Sequence, residues 1–198
     1  ALAGLVAGGV ADQEHSAQQR AEACHARGQE LAATWDAARA GIAAAFVAAA
    51  PDVGERSFHR AATAIDRFVA EWASARGRSC MLPHLDARWT AALVGRADEC
   101  LLESRWELES TLERFAASDA ALVRQAAAAV ASLQPPAPCL ELSYLSRQPP
   151  PPPDEPVRAE VLRTRHELLQ ARTLGATGRF EEALTETRRL IVEADKIG

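Results

Sequence analysis

The sequence contains few signals for β-strands and almost no lysine. β-Branched residues are sparse, and alternation of apolar and polar residues with a period of two does not persist, which argues against a sheet-based fold. The 22 cationic residues are all arginine except Lys196. With a net charge of −5 and no basic cluster, the chain lacks the concentrated basic face that binding to a nucleic-acid backbone requires.

Sequence motifs for catalysis are also absent. There is no Gly-rich phosphate loop, no catalytic His-Arg-Asp, no Asp-Phe-Gly, no nucleophile elbow, no His-Glu-x-x-His and no Walker motif. The composition, 48% hydrophobic and 25% charged, is that of a soluble globular chain. We therefore predict a non-catalytic segment that holds no cofactor.

The apolar residues that are present recur with helical spacing. They predict a first helix from about Ser16 to Ala49 and a second from Phe58 to near Gly77. A third helix follows Pro83 with Leu85 and Trp89 inward, and a fourth is capped by Ser118 or Asp119. Four amphipathic helices with short loops predict an all-α fold, an antiparallel helical bundle over residues 12–147. Trp106 lies off the stripe of the third helix, which suggests exposure at an interface.

Four cysteines, an even number, are compatible with two disulfides in an oxidising compartment. Cys24 and Cys80 lie at the same end of an up-down pair, while Cys100 and Cys139 lie at a similar level of the third and fourth helices. The topology therefore favours pairing Cys24 with Cys80 and Cys100 with Cys139. Four buried free thiols are the alternative.

Two weaker patterns could carry chemistry. Zinc could be held by two thiolates and two imidazoles, from Cys24, His25, Cys80 and His84. Their spacing matches no zinc motif, and a disulfide would use the same sulfurs, so we predict no metal site. Acid/base catalysis could use paired carboxylates from Asp36, Glu103, Glu107 and Glu109. A solvated helix face with neighbouring arginines is the simpler interpretation.

Two segments delimit the bundle. Residues 149–153 are five consecutive prolines, and such a run forms a semi-rigid polyproline spacer of roughly 15 Å. We therefore assign residues 148–156 to a proline-rich linker. At the other end, residues 1–11 carry no charge and would cover about half of the hydrocarbon core of a bilayer. They fit either the end of a transmembrane helix or a flexible Gly/Ala terminus.

Beyond the linker, residues 157–198 read as helix, turn, helix. The run 178–184 (GRFEEAL) resembles the centre of a tetratricopeptide repeat. Gly178 supplies the turn, Phe180 the interface and Ala183 the close helix crossing, with Ala171 and Leu174 in the small and bulky positions of the preceding helix. The usual tryptophan of the first helix is missing, and Asp195 stands where the closing proline would be. The resemblance implies a protein- or peptide-binding groove and an array that continues past Gly198.

A wider pattern resembles the region that follows the membrane helix of serine/threonine protein kinases from myxobacteria and similar bacteria. It consists of Cys24, residues 31–39 (LAATWDAAR), Ala45-Phe46, Ile65-Asp66-Arg67 with Trp72, and residues 100–105 (CLLESR). The segment 76–85 follows the pattern poorly. The resemblance implies a non-catalytic, extracytoplasmic (periplasmic) sensory or protein-interaction region, attached to the membrane by a preceding span and able to oligomerise. The alternative is a soluble cytoplasmic tetratricopeptide adaptor.

Overall fold

The computed structural model describes the backbone of residues 2–197 and the side chains of residues 15–196. Over this part of the chain the structure is helical and contains no β-strand, so the all-α prediction is confirmed. A 3₁₀ turn spans Ala137–Leu140. The α-helices in chain order are α1 (Leu2–Gly28), α2 (Glu30–Ala49), α3 (Gly54–Leu85), α4 (Ala91–Ala116), α5 (Ala120–Ala131), α6 (Leu142–Leu145), α7 (Glu155–Ala176) and α8 (Phe180–Ile197).

The central helices alternate in direction. At one end of the bundle the ring of Phe46, late in α2, lies 5.3 Å from that of Phe115, late in α4, and 6.1 Å from that of Phe58, early in α3. Midway along α3 and α4, the indole N–H of Trp72 donates to the carbonyl of Leu101 at 2.8 Å. Helices α2, α3 and α4 therefore run up, down and up, and α5 returns along α3.

The core lies between these helices and is rich in alanine, which lets helix axes approach closely. Large rings fill the wider gaps, including the predicted core tryptophans Trp35, Trp72 and Trp89. The largest side chains that are almost fully buried are Trp35, Phe46, Phe115, Leu31, Ile42, Ile65, Leu101, Leu108 and Leu145.

The predicted first helix is divided into α1 and α2 at Gln29, and both parts pack on α3. The close approach of α1 to α3 depends on Gly28. A Cβ atom at this position would lie 2.6 Å from the carbonyl oxygen of Ala73, closer than such atoms can approach. Glycine therefore fits here, and its weak helix propensity accounts for a break at the next residue.

The predicted boundary between the second and third helices is wrong. Helix α3 continues beyond Gly77, passes Pro83 and ends at Leu85. Pro83 removes one backbone hydrogen bond, the one that an N–H at this position would donate to the carbonyl of Ser79, and the helix ends two residues later. Leu85, predicted to face inward on the third helix, is at the end of α3 and is 74% exposed. Trp89 is buried, but it precedes α4.

Side-chain caps set the starts of three later helices. The Thr90 hydroxyl accepts the N–H of Leu93 at the start of α4. Asp119, one of the two predicted caps, accepts two N–H groups at 2.9 and 2.8 Å at the start of α5. Asp154 does the same for α7 through Val157 at 3.0 Å. Such caps satisfy donors that have no partner within the helix.

The proline segment is fastened to the helix that follows it. The Arg158 guanidinium donates to the carbonyl of Pro152 at 3.0 and 2.9 Å. Helix α7 begins at Glu155, inside the predicted linker, with Pro156 in its first turn, where the missing N–H is not needed. The hairpin of α7 and α8 lies against the bundle because α7 packs along α4.

No helix within the described residues is long and apolar enough to cross a membrane. The backbone of α1 is helical from Leu2. The predicted end of a membrane span, residues 1–11, lies outside the residues whose side chains are described.

Candidate functional site

Two disulfides join distant parts of the bundle in the pairing that the topology predicts. Cys24 in α1 is bonded to Cys80 in α3, with Cα atoms 5.5 Å apart. Cys100 in α4 is bonded to Cys139 in the 3₁₀ turn, with Cα atoms 5.6 Å apart. The first fixes α1 to the far end of α3, and the second holds the segment after α5 against α4.

The zinc alternative has no support in the geometry. Cys24 and Cys80 are bonded to each other, so their sulfurs are not free thiolates. Among the described residues, no group of three or more His, Cys, Asp or Glu side chains is placed to hold a metal ion.

Residues from the segments around Trp35 and Asp66 form a contact between α2 and α3. The indole N–H of Trp35 in α2 donates to the carboxylate of Asp66 in α3 at 2.7 Å. The guanidinium of Arg39 lies over the Trp35 ring at 4.6 Å and also pairs with Asp66. A carboxylate, an indole and a guanidinium thus join α2 to α3 through a hydrogen bond, an ion pair and a cation–π contact.

The hairpin turn follows the repeat-like pattern in part. Gly178 has a φ of +84°, in the left-handed region that glycine adopts most easily. Ala171 of α7 is buried and Leu174 is half-buried. The Cβ atom of Ala183 would lie 3.8 Å from a Cβ at Gly175, so small residues do permit a close helix crossing.

Phe180, predicted to lie at an interface, is 69% exposed. Leu184 and Ile191 of the same helix are 45% and 57% exposed, whereas Leu190 is buried against α7. Helix α8 therefore has an inner apolar side that packs within the hairpin and an outer apolar side that faces solvent. We call Phe180, Leu184 and Ile191 the outer seam of α8.

The glutamates of α4 were predicted to lie on a solvated helix face, and for Glu107 this prediction is wrong. Its side chain is nearly fully buried, with 4% exposed. It accepts the backbone N–H of Gln134 at 2.7 Å and lies 3.3 Å from the guanidinium of Arg172 in α7. Arg172 also donates to the carbonyl of Ser132 at 3.1 Å. Glu107 therefore joins α4, the end of α5 and the hairpin.

Glu103 lies one turn earlier on α4 and pairs with Arg165 of α7 at 3.1 Å. Arg165 also lies 3.6 Å from Glu99. Burial raises the pKa of the Glu103 carboxyl, and the nearby Arg165 only partly offsets this effect. Glu99, Glu103 and Arg165 thus form a group of charges between α4 and α7. Glu109, the remaining residue of the predicted carboxylate face, pairs with Arg105 at 2.7 Å.

Trp106 adds a ring contact to the same interface. Its indole stacks on the imidazole of His166, with ring centroids 4.6 Å apart and an interplanar angle of 20°. The predicted interface role of Trp106 thus corresponds to contact between α4 and α7.

A sequence signal for this interface was present. Glu99, Glu103 and Glu107 recur every four residues, and Arg165 and Arg172 are seven residues apart. Both spacings place like charges on one side of a helix. Opposite charges in stripes on two helices favour their association.

Within the hairpin, ion pairs connect α7 to α8. Glu167 accepts from Arg189 at 2.8 Å and also pairs with Arg163. The hydrogen bond from Arg189, followed by that from Arg163, lowers the pKa of the Glu167 carboxyl. Arg189 further pairs with Glu186 and Glu193 along α8. These charges lie away from the outer seam and are already paired.

The sequence matches no protein-family model, and no curated protein or solved structure is significantly similar to it.

Proposed function

We propose that this chain is a non-catalytic, extracytoplasmic protein-interaction region of a bacterial receptor-like serine/threonine protein kinase. In this proposal the disulfide-linked bundle is a stalk close to the membrane, and the hairpin of α7 and α8 is the element that binds protein. A signal would pass as a change in association.

The observation that carries the interaction role is the outer seam of α8. Phe180, Leu184 and Ile191 lie on one side of the helix with about half or more of each side chain exposed. Single exposed apolar residues are ordinary, but a continuous row on one helix is typical of a surface that binds protein.

The two disulfides support a location outside the cytoplasm. Structural disulfides persist in oxidising compartments and are rare in bacterial cytosol. All four cysteines are paired, and both bonds link separate helices. The kinase context rests on the resemblance of the segments around Cys24, Trp35, Asp66 and Cys100.

The location is tested by modifying thiols in intact cells that express the natural full-length protein. In peptides from this segment, Cys24, Cys80, Cys100 and Cys139 should carry no bulky maleimide when cells are treated without reductant, and one adduct each when they are treated after reduction. The coding sequence upstream should contain a membrane span and a kinase domain. Four reactive thiols without reductant, or the absence of both upstream elements, would favour the soluble cytoplasmic adaptor instead.

A further inference from the structure

Helix α8 carries a second apolar stripe with the spacing of a two-helix seam. Positions 180, 184, 187, 191 and 194 are separated by four, three, four and three residues, and are occupied by Phe, Leu, Thr, Ile and Ala. This alternation is that of the a and d positions of a coiled coil. Thr187 is half-buried and Ala194 is exposed, so the stripe can be reached by another helix along about four turns.

Two charges border this stripe on the same side. Glu181 and Arg188, seven residues apart, are both exposed. Neither side chain makes an ion pair within the described residues, in contrast to Arg179, Glu182 and Arg189 around them. When a second α8 runs in the opposite direction, its arginine can face the glutamate of the first helix, and its glutamate can face the arginine.

We infer that the outer seam of α8 binds the same seam of a second copy of this chain, with the two helices antiparallel. In this register Phe180 lies opposite Ile191 of the second copy, and Leu184 lies opposite Thr187. Glu181 then faces Arg188 of the second copy, and the two-fold axis repeats the pair. The surface is thus self-complementary, as a two-fold dimer requires.

The charges select the antiparallel arrangement. In a parallel pair, a residue at the position of Glu181 or Arg188 faces a residue of the second helix whose number is five lower. Arg188 would then face Ala183 of the second copy, and Glu181 would face Ala176. Ala176 ends α7 and lies outside α8, so Glu181 would have no residue of the second α8 opposite it. Both charges would stay unpaired, whereas the antiparallel register pairs all four.

The seam predicts a weak, reversible dimer. An interface made of four layers of side chains from one helix buries little surface area, as transient protein–protein contacts do. This inference rests on the proposed function, because it names the partner of the hairpin surface.

Sedimentation equilibrium of the purified, oxidised chain tests it, from low to high micromolar concentration. We expect a monomer–dimer equilibrium for the natural chain. Leu184→Glu should abolish the dimer, whereas Val192→Glu, a matched change at an exposed apolar residue beside the seam, should leave it within about threefold of the natural dissociation constant. A chain that stays monomeric throughout, or equal effects of the two variants, would overturn the inference.

Charge exchange tests the register. Glu181→Arg or Arg188→Glu alone should weaken the dimer by about tenfold, because each makes two like-charge contacts. The double variant should restore the dimer, since it recreates both pairs with exchanged signs. Failure of the double variant to recover would exclude this register.

Cross-linking tests the direction of the helices. All native cysteines are bonded, so a cysteine introduced at Leu184 or Thr187 is the only free thiol. A mixture of the two variants should form mixed disulfides faster than either variant alone, whereas dominant Leu184→Cys homodimers would indicate a parallel pair.

A monomer with α8 protected from hydrogen exchange would indicate that another segment covers the seam. The cellular thiol experiment remains independent of these outcomes, so failure of the dimer and failure of the proposed location can be told apart.

Discussion

A single glycine, Gly28, sets how closely α1 packs on α3. The α-carbon of Gly28 faces the backbone of Ala73, with no room for a Cβ atom. Gly28→Ala should therefore force α1 away from α3 and destabilise the protein by about 1–3 kcal/mol, the usual cost of overpacking. Gly41→Ala in α2 is the matched control, because a Cβ there meets no atom within 4 Å. It should stabilise the protein by up to about 1 kcal/mol through helix propensity. Urea unfolding measures both, and effects of the same sign would contradict this account.

Two glutamates should respond to pH in opposite directions. The folded-state pKa of Glu103 lies above its ordinary value of 4.5, so its contribution to stability is present below that value and is lost as the pH rises through the folded-state pKa. Glu167 has a folded-state pKa below 4.5, so its contribution is present above that value and is lost on acidification. At about pH 7, Glu103→Gln should leave stability unchanged or higher, and Glu167→Gln should lower it by about 0.5–1 kcal/mol.

The measurement is urea unfolding of both variants at neutral and acidic pH. Each variant should approach the natural protein in stability as the carboxyl of the natural protein becomes protonated. A loss of stability at neutral pH for both variants would show that the ion pair of Glu103 outweighs its burial.

At the scale of helices, most elements could be predicted because their apolar stripes are long and their caps are local. The Asp119 cap and the stripe of α3 depend only on neighbours in sequence. The break at Gln29 and the continuation of α3 through Pro83 could not be predicted in this way. The first depends on contact between Gly28 and Ala73, and the second on how near Pro83 lies to the helix end, which sequence spacing alone leaves open.

The disulfides couple helices that the sequence separates widely. Cys24 and Cys80 are 56 residues apart, and Cys100 and Cys139 are 39 apart. Closing loops of these lengths in the unfolded chain should contribute about 4 kcal/mol of stability for each bond. Cys24→Ala/Cys80→Ala and Cys100→Ala/Cys139→Ala should therefore lower stability by similar amounts, measured by urea unfolding.

The local effects of the two cysteine variants should differ. Hydrogen exchange should increase mainly in α1 for the first variant and around residues 137–145 for the second, because these segments lose their covalent attachment. An unchanged unfolding midpoint after reduction of the natural protein would contradict the stabilising role.

At the scale of the whole molecule, ion pairs join the hairpin to the bundle. The sequence could predict the hairpin and the proline segment, since both are local. It did not predict their docking, because that depends on carboxylates of α4, which were interpreted as solvated, and on arginines of α7, whose partners the sequence left open. Glu107 is the clearest case: its residue type favours the surface, but its contacts with Gln134 and Arg172 stabilise it in a buried position.

The charge-based contact predicts that the hairpin can be released while the bundle stays folded. Arg165→Gln together with Arg172→Gln removes the partners of Glu103 and Glu107. Since both arginines are partly exposed, the loss should be about 2 kcal/mol, or a factor of about 30 in the docking equilibrium. The radius of gyration in X-ray scattering should rise, and proteases should cut the segment 146–154 sooner.

Arg124→Gln together with Arg163→Gln is the control with the same change in charge. Within the described residues neither arginine makes an ion pair with α4, so this variant should scatter like the natural chain. High salt should open the natural protein as well, because screening weakens ion pairs that are open to solvent. If the Arg165 and Arg172 variant keeps the radius of the natural chain, the ring stack of Trp106 on His166 and the apolar contacts of α7 are sufficient to hold the hairpin. The charges would then specify where it docks without determining how tightly.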